Sequence, residues 1–266
     1  MRVLFIGDIV GSPGRRIVRE RLADIVGQRQ IDLVIANGEN SASGFGITPR
    51  IADELLSAGV EVLTGGNHSW DRKEILEYMP NQPRLLRPGN FPEGNVGSGL
   101  YVGTKNGVGY AILNLQGRVF LPAIDDPFRK ADSELTRLPV GVAFVLVDIH
   151  AETTSEKISL GWHLDGRVTA VVGTHTHVTT ADEHVLPHGT AYITDVGMTG
   201  PHDGVIGMQR ESVIKRFLDG LPTRFEPATG DVQMNAVLIE TDDAGPRNDA
   251  GRLRAASIER LRFHID

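Results

Sequence analysis

Along the first 80 residues, short apolar runs alternate with longer polar segments of helical length. Apolar strands separated by helices are typical of βαβ units, in which crossover helices connect the strands of a parallel sheet. The chain is therefore predicted to begin as an α/β protein. The predicted strands are residues 2–6, 32–36 and 60–64, and the predicted helices are residues 14–27, 48–58 and 71–79.

The remainder of the chain adds antiparallel elements to this pattern. Residues 101–115 predict a hairpin, because Asn106 and Gly107 form a favoured two-residue turn between two apolar runs. Together the elements predict a single domain over residues 1–266 with an α/β (α+β) fold, in which a two-layered mixed β-sheet sandwich is flanked by helices. The other predicted elements are strands at 142–150 and 168–175, helices near 127–137, 153–163 and 207–219, two short strands around 187–189, a glycine-rich loop at 197–207, and two antiparallel strands at 232–241 and 252–264.

The composition restricts both the chemistry and the location of the protein. The chain has no cysteine, so a metal site has to use His, Asp, Glu or Asn side chains or backbone oxygens. The N-terminal apolar run is too short for a signal peptide, and no apolar stretch reaches the length of a membrane span. We therefore expect a cytoplasmic protein with no membrane partner.

The charge restricts the partners further. The 27 basic and 34 acidic residues give a formal net charge of −7, and no block of five or six basic residues occurs. Long nucleic acid is not an expected partner, because binding its phosphates requires a positive surface. A small anionic substrate is compatible with this charge, since bound metal ions reverse the local field.

Five of the predicted strands are followed by side chains that commonly bind metals. In open α/β sheets, ligands bind beyond the carboxyl ends of the strands, so these residues could meet in one place. Singly, each has an ordinary explanation: Asp8 as a turn or cap residue, His150 as a buried histidine, His175 and His177 as an incidental pair. Five coincidences at five strand ends are harder to dismiss. The residues are Asp8, Glu39 with Asn40, Asn67 with His68, His150, and His175 with His177.

The number of these residues predicts two metal ions. The chain contains no H-E-x-x-H helix, so the spacing does not fit a common mononuclear site. Two carboxylates, one amide and three imidazoles exceed the needs of one tetrahedral ion. They suit two ions about 3.5–4 Å apart, as in two-metal phosphatases.

The order of these motifs resembles that of the calcineurin-like metallophosphoesterases, which have D-x-H, G-D-x-x-D, G-N-H, a lone histidine and then G-H-x-H. Three positions depart from the pattern: Val10 replaces a histidine, Glu39 replaces the usual bridging aspartate, and Thr174 replaces a glycine. With the segments GDIVG, GENSASGFGIT and GMTGPHDGVIG, these departures resemble the YmdB-like branch, bacterial phosphodiesterases associated with 2′,3′-cyclic nucleotides. The matching motifs are Gly7-Asp8, Gly38-Glu39-Asn40, Gly66-Asn67-His68, His150 and Thr174-His175-Thr176-His177.

This resemblance implies a role for each residue. A bridging hydroxide would attack phosphorus, and His68 would be the general acid that protonates the leaving alkoxide; a purely structural histidine is the alternative. The two ions would be divalent or trivalent, iron and/or manganese, with zinc as a further candidate. The implied ligands are Glu39 for both ions, Asp8 and His177 for one ion with Asn40 in place of the missing histidine, and Asn67, His150 and His175 for the other.

Two glycine-rich loops carry further candidate contacts. Phe45, between Gly44 and Gly46, could stack on a base, and His202 in the 197–207 loop could reach a substrate phosphate. The alternative for both loops is that they are only tight turns that need positive φ angles.

The expected function is hydrolysis of a small phosphodiester, with 2′,3′-cyclic nucleotides implied by the resemblance. Three alternatives stay open: a nucleotide-binding signalling protein with little turnover, a phosphomonoesterase, and an unrelated dinuclear hydrolase that acts on amides. Whether the protein forms a homo-oligomer also stays open, as does the identity of the metals.

Overall fold

The computed structural model describes residues 1–265, in which strands and helices alternate over the first third of the chain. None of the helices in this range is long and apolar enough to cross a bilayer. The strands are β1 (Arg2–Ile6), β2 (Asp8–Ile9), β3 (Leu33–Asn37), β4 (Val62–Thr64), β5 (Leu100–Lys105), β6 (Val108–Gln116), β7 (Val142–His150), β8 (Ala170–Thr174), β9 (His184–Val185), β10 (Ala191–Ile193), β11 (Met198–Pro201), β12 (Val232–Asp242) and β13 (Arg254–Ile265). The helices are α1 (Gly11–Arg29), α2 (Pro49–Ser57), α3 (Ile75–Tyr78, continued by a 3₁₀ turn at Met79–Asn81), α4 (Pro127–Thr136), α5 (Thr154–Leu164) and α6 (Arg210–Asp219).

The strands form two mixed sheets. The first has the order β2-β11-β12-β1-β3-β4 with β13 against β12, and the second has the order β5-β6-β7-β8-β10-β9. In the first sheet, β1 is parallel to β3 and antiparallel to β12; in the second, β6 is parallel to β7 and antiparallel to β5. The predicted two-layered mixed sheet flanked by helices is confirmed.

Strand β1 shows why the apolar runs are continuous rather than alternating. Val3 and Phe5 pack between the two sheets, whereas Leu4 and Ile6 pack on the other face with residues of α1. All four side chains are fully buried. A strand covered on both faces has no solvent-facing position, so every residue gains from being apolar. Burial of each such side chain contributes about 1.5–3 kcal/mol.

Two sequence predictions need correction. The helix predicted at 71–79 is a single turn at Ile75–Tyr78, because the preceding residues form a turn in which Ser69 Oγ accepts from the backbone N–H of Gly66 and donates to its carbonyl. The glycine-rich loop at 197–207 contains strand β11, which pairs with β2 and β12. Strands of two and four residues are too short to give a periodic signal.

A buried ion pair joins helix α5 to the segment after β10. Lys157 Nζ donates to Asp195 Oδ2 at 2.7 Å, and neither side chain is exposed by more than 1%. The other oxygen of Asp195 accepts from Gly197 N at 2.8 Å. A buried carboxylate with these partners is stable only while its positive partner remains, because an unpaired buried charge is costly.

We expect Lys157→Met to lower the free energy of unfolding by about 3–5 kcal/mol, because it leaves Asp195 buried without its cation. Urea unfolding followed by circular dichroism measures this. The control is Lys215→Met, which removes the Lys215–Asp219 pair within α6, where Lys215 is 62% exposed, and should leave the free energy of unfolding close to the wild-type value. Equal losses in the two variants would contradict the account of the buried pair.

Candidate metal centre

The ends of strands from both sheets converge on one cluster of polar side chains. His150, the last residue of β7, lies at the centre: its Nε2 is 2.9 Å from Glu39 Oε1, 3.1 Å from Asn67 Oδ1 and 3.1 Å from His175 Nδ1. Glu39 follows β3, Asn67 follows β4 and His175 follows β8. Because these strands of the two sheets end on the same side of the fold, residues far apart in sequence become neighbours.

A second group of the predicted residues adjoins this cluster. The side-chain nitrogen of Asn40 is 3.2 Å from Glu39 Oε1 and 3.1 Å from His177 Nε2. Asp8 Oδ2 accepts from His175 N at 3.2 Å, and Asp8 is fully buried. The structure therefore brings together all seven residues that the sequence proposes as metal ligands. Val10 is buried and lies against Gly200 and Gly207, so it offers no ligand atom.

The tautomer of His150 follows from its partners. Asn37 donates to one oxygen of Asp148 at 3.4 Å, and the Thr174 hydroxyl donates its only hydrogen to the other at 2.8 Å. Thr174 Oγ1 must therefore accept from His150 Nδ1, 2.9 Å away. His150 Nδ1 therefore carries a hydrogen, and Nε2 is the nitrogen that faces Glu39 and is placed to bind a metal.

The other two histidines are arranged in the same way. His175 Nε2 lies 3.0 Å from the carboxylate of Glu152, and His177 Nδ1 lies 2.9 Å from the carbonyl of Ile206. Because these oxygens can only accept, the nitrogens facing them carry hydrogens. Each histidine thus has its outward nitrogen tied to an acceptor and its inward nitrogen free to bind a metal, which is the usual arrangement around protein-bound metals.

The turn that carries His175 and His177 has a strained backbone. Their φ angles are +97° and +66°, in the left-handed region that non-glycine residues rarely adopt. Asp195 holds the residue between them, because its Oδ2 accepts from both the backbone N–H and the hydroxyl of Thr176, at 3.1 Å and 2.8 Å. Such strain persists where the surroundings impose it. Here it directs two imidazoles towards one place.

The electrostatics favour a positive charge at the centre of the cluster. Burial alone would lower the pKa of His150, but the Glu39 and Asp8 carboxylates raise it to about 9. Burial alone would raise the pKa of Glu39, but His150 lowers it to about 2. Burial raises the pKa of Asp8 above its ordinary value. A cation at this position would satisfy both carboxylates and the inward nitrogens.

The residues present also fit a metal on steric and chemical grounds. A Cβ on Gly66 would lie 2.3 Å from both Glu39 Oε2 and His150 Nε2, so the residue beside Asn67 has to be glycine. Asp8 Oδ1 and Asn40 Oδ1 are buried and have no hydrogen-bond partner among residues 1–265. Glu39, His150 and His175 place three ligand atoms within 4.8 Å of one another and could hold a metal ion. Imidazole and carboxylate suit iron, manganese or zinc.

His68 lies beside this cluster with a different set of contacts. Its backbone N–H donates to Glu39 Oε2 at 3.1 Å, while its ring Nδ1 lies 2.7 Å from Asp71 Oδ2. The Phe45 ring packs edge-on against the His68 ring, with 5.1 Å between centroids. Asp71 orients the imidazole, and the remaining nitrogen, Nε2, is available to a ligand.

A cavity of about 410 Å³ opens above the cluster. Its volume is in the range of small-molecule sites. Glu39, Asn40, Phe45, His68, His175 and His177 line its polar side.

His202, by contrast, is not among the residues that line the cavity. Its Nδ1 lies 3.0 Å from the Gly200 carbonyl and its Nε2 lies 3.1 Å from Asn235 Nδ2. Both ring nitrogens thus face partners within the protein, and the substrate contact of His202 stays a prediction that this arrangement does not support.

Several supporting residues were not identified from the sequence. For Asp71 and Asp148 the sequence holds only a weak indication of a supporting role, because each lies within three residues of a proposed functional histidine. For Glu152 and the Ile206 carbonyl the sequence holds no such indication, since their roles depend on contacts made only in the folded protein.

Comparison with known proteins relates this chain to one family and to a named relative. The model of the family described as YmdB-like protein matches residues 4–253. A Bacillus subtilis (strain 168) protein named 2′,3′-cyclic-nucleotide 2′-phosphodiesterase is 49% identical over 266 residues, which cover 100% of this chain and 98% of the relative.

Solved structures agree with these relationships. A Thermus thermophilus protein, described only as hypothetical, is 41% identical with a TM-score of 0.92, and each chain is covered completely. A Staphylococcus aureus protein provisionally assigned as a 5′-nucleotidase has a TM-score of 0.61 at 13% identity, covering 100% of this chain and 55% of the other. This second likeness shows a shared fold, which is metallophosphoesterase-like.

We expect Thr174→Val to weaken metal binding at the cluster by about 10- to 100-fold, because His150 loses the acceptor that fixes its tautomer. Titration of metal-free protein with Mn²⁺, followed by calorimetry, measures the affinity directly. Thr174→Ser keeps the hydroxyl and should retain wild-type affinity.

The matched control for this substitution is Thr64→Val. Thr64 donates to the same Asp148 carboxylate, at 2.5 Å, and among residues 1–265 it forms no hydrogen bond with His150. If Thr64→Val weakened Mn²⁺ binding as much as Thr174→Val, the effect would come from Asp148 alone and the tautomer argument would be wrong.

Proposed function

This chain belongs to the YmdB-like protein family, and we propose that it is a metal-dependent phosphodiesterase whose substrates are 2′,3′-cyclic nucleotides. The observation that carries this proposal is the full-length identity of 49% to a protein named for that activity. The cluster of carboxylates, imidazoles and an amide beside His68 supports it, because this is a donor set suited to phosphoryl transfer.

The proposed cofactors are two metal ions, iron and/or manganese, with zinc as the alternative. Glu39 would be shared between them, because its carboxylate lies between the two groups of ligands. Asp8, His177 and Asn40 would hold one ion, and Asn67, His150 and His175 the other. Bound ions would supply an activated water and neutralise charge that develops on the phosphoryl oxygens.

The chain's own residues would complete the reaction around His68. In the proposed step, oxygen from water bonds to phosphorus and the bond between phosphorus and the ribose 2′-oxygen breaks. His68 donates the proton that the departing 2′-oxygen needs, so the product is a 3′-phosphomonoester with a free 2′-hydroxyl. Asp71 keeps the imidazole oriented, with Nδ1 bound and Nε2 available to the leaving group.

The choice of a small cyclic diester rests on charge and size. The formal net charge is −7, which disfavours a long nucleic acid. A cyclic nucleotide places a compact diester at the polar side of the cavity and needs no extended basic groove. Phe45 is proposed as an aromatic contact for the bound nucleotide, since it lines the cavity next to His68.

We expect His68→Ala to lower kcat for 2′,3′-cyclic AMP by about 10²–10⁴, because the leaving oxygen loses its proton donor. The metal content should stay at the wild-type value. The defect should be smaller for a diester with a nitrophenolate leaving group, which needs little protonation. His188→Ala, at an exposed histidine, is the control and should behave as wild type. Loss of metal in His68→Ala would identify His68 as a ligand instead.

We expect kcat/KM for 2′,3′-cyclic AMP to exceed the values for 3′,5′-cyclic AMP, a nucleoside monophosphate and a short RNA. The measurement is steady-state hydrolysis with the Mn²⁺-loaded protein and again after chelation, which should abolish turnover. A monophosphate or RNA turned over at least tenfold better than the 2′,3′-cyclic compound would refute the substrate assignment. No turnover of any of the four would favour a signalling protein that binds nucleotide.

A further inference from the structure

The cavity above the cluster has two chemically different halves. One half is the polar side that carries Glu39, His68 and the other candidate catalytic groups. The other half is apolar apart from a single cation. It is formed by Val205, Ile206, Met208, Val213, Arg216, Phe217 and Phe225, which we call the α6 wall because three of them belong to α6. The proposed chemistry uses none of their side chains.

The α6 wall is held at a fixed position relative to the polar side. His177 Nδ1 donates to the Ile206 carbonyl at 2.9 Å, which joins a candidate metal ligand to the wall. Met208 fills the space that a Cβ on Gly44 would occupy, since that Cβ would lie 2.4 Å from Met208 Cε. A group bound against the wall would therefore lie at a set distance from the candidate metal ligands.

Arg216 is the cation of this wall. Its guanidinium carbon lies over the Phe225 ring, 5.6 Å from the centroid. Within residues 1–265 its guanidinium forms no ion pair or hydrogen bond, although the protein is acidic overall. A guanidinium against an aromatic ring presents a planar, polarisable surface on which another planar ring can stack.

We propose that the α6 wall is a subsite for the nucleobase, with Phe225 and Arg216 as the residues that recognise it. The inference rests on the proposed function, because the phosphate of the same ligand has to lie at the polar side. A planar heteroaromatic ring suits this wall better than an aliphatic chain, since the wall offers a ring face and a guanidinium beside apolar side chains. The wall offers only Arg216 as a hydrogen-bonding side chain, so the base is bound by its face and discrimination among bases is weak.

The experiment compares two substrates in three variants. The substrates are 2′,3′-cyclic AMP and ribose 2′,3′-cyclic phosphate, which has the same reacting group and no base. The variants are Phe225→Ala, Phe225→Leu and Leu218→Ala. Leu218 is the matched control: it is on α6, is 83% exposed and does not line the cavity.

We expect Phe225→Ala to raise KM for 2′,3′-cyclic AMP by roughly 5- to 100-fold, the range expected for loss of base stacking. Its KM for the base-free compound and its metal content should not change. Phe225→Leu should lie between wild type and Phe225→Ala, because it restores apolar contact without the ring. Leu218→Ala should match wild type with both compounds.

Two results would overturn the subsite. One is that Phe225→Ala changes KM equally for both compounds, which would mean that the wall only supports the site. The other is that wild type does not prefer the compound with a base. Failure of the proposed function is distinguishable from both, because wild type would then hydrolyse neither compound. In that case, calorimetric binding of 3′-AMP and ribose 3-phosphate to the Mn²⁺-loaded protein tests the subsite without turnover, and equal affinities would overturn it.

Discussion

The arrangement of the candidate centre depends on one electrostatic constraint. Positive charge is needed at a single point to balance the buried carboxylates and the imidazole lone pairs that face them. Asp8 and Glu39 are fully removed from water, and three inward-facing nitrogens lie beside them. Lone pairs this close repel one another unless positive charge lies among them. The outward nitrogens are therefore as important as the inward ones, because a histidine whose outer nitrogen lacked an acceptor could turn or change tautomer.

The supports of the three imidazoles come from different parts of the fold. Thr174 and Asp148 lie on neighbouring strands of the second sheet, Glu152 precedes α5, and Ile206 follows β11. The turn between His175 and His177 adds backbone strain, which Asp195 maintains through Thr176. Because Asp195 is itself paired with buried Lys157, helix α5 contributes to the position of two candidate ligands through Asp195 and Thr176.

The sequence predicted which residues would lie together at the candidate centre because its signals are local. A strand is recognised from its apolar run, and the residue that follows a parallel strand lies at the edge where ligands bind. Strand β11 and the supporting contacts of His150 could not be predicted in the same way. Strand β11 has four residues, and the bond from Thr174 to Asp148 depends on the register between β7 and β8. The contacts of His202 could not be predicted for a related reason, since a glycine-rich loop gives no information on which side its histidine faces.

The division of the cavity has a consequence for how relatives of this protein can diverge. Substitutions on the polar side are restricted, because even one methyl group on Gly66 would collide with Glu39 and His150. The opposite wall is built by α6 and the adjoining loops, at the periphery of the fold, and several of its side chains are largely exposed. Selection could therefore exchange residues there at little cost to folding, so that one arrangement of candidate metal ligands comes to serve different metabolites in different lineages.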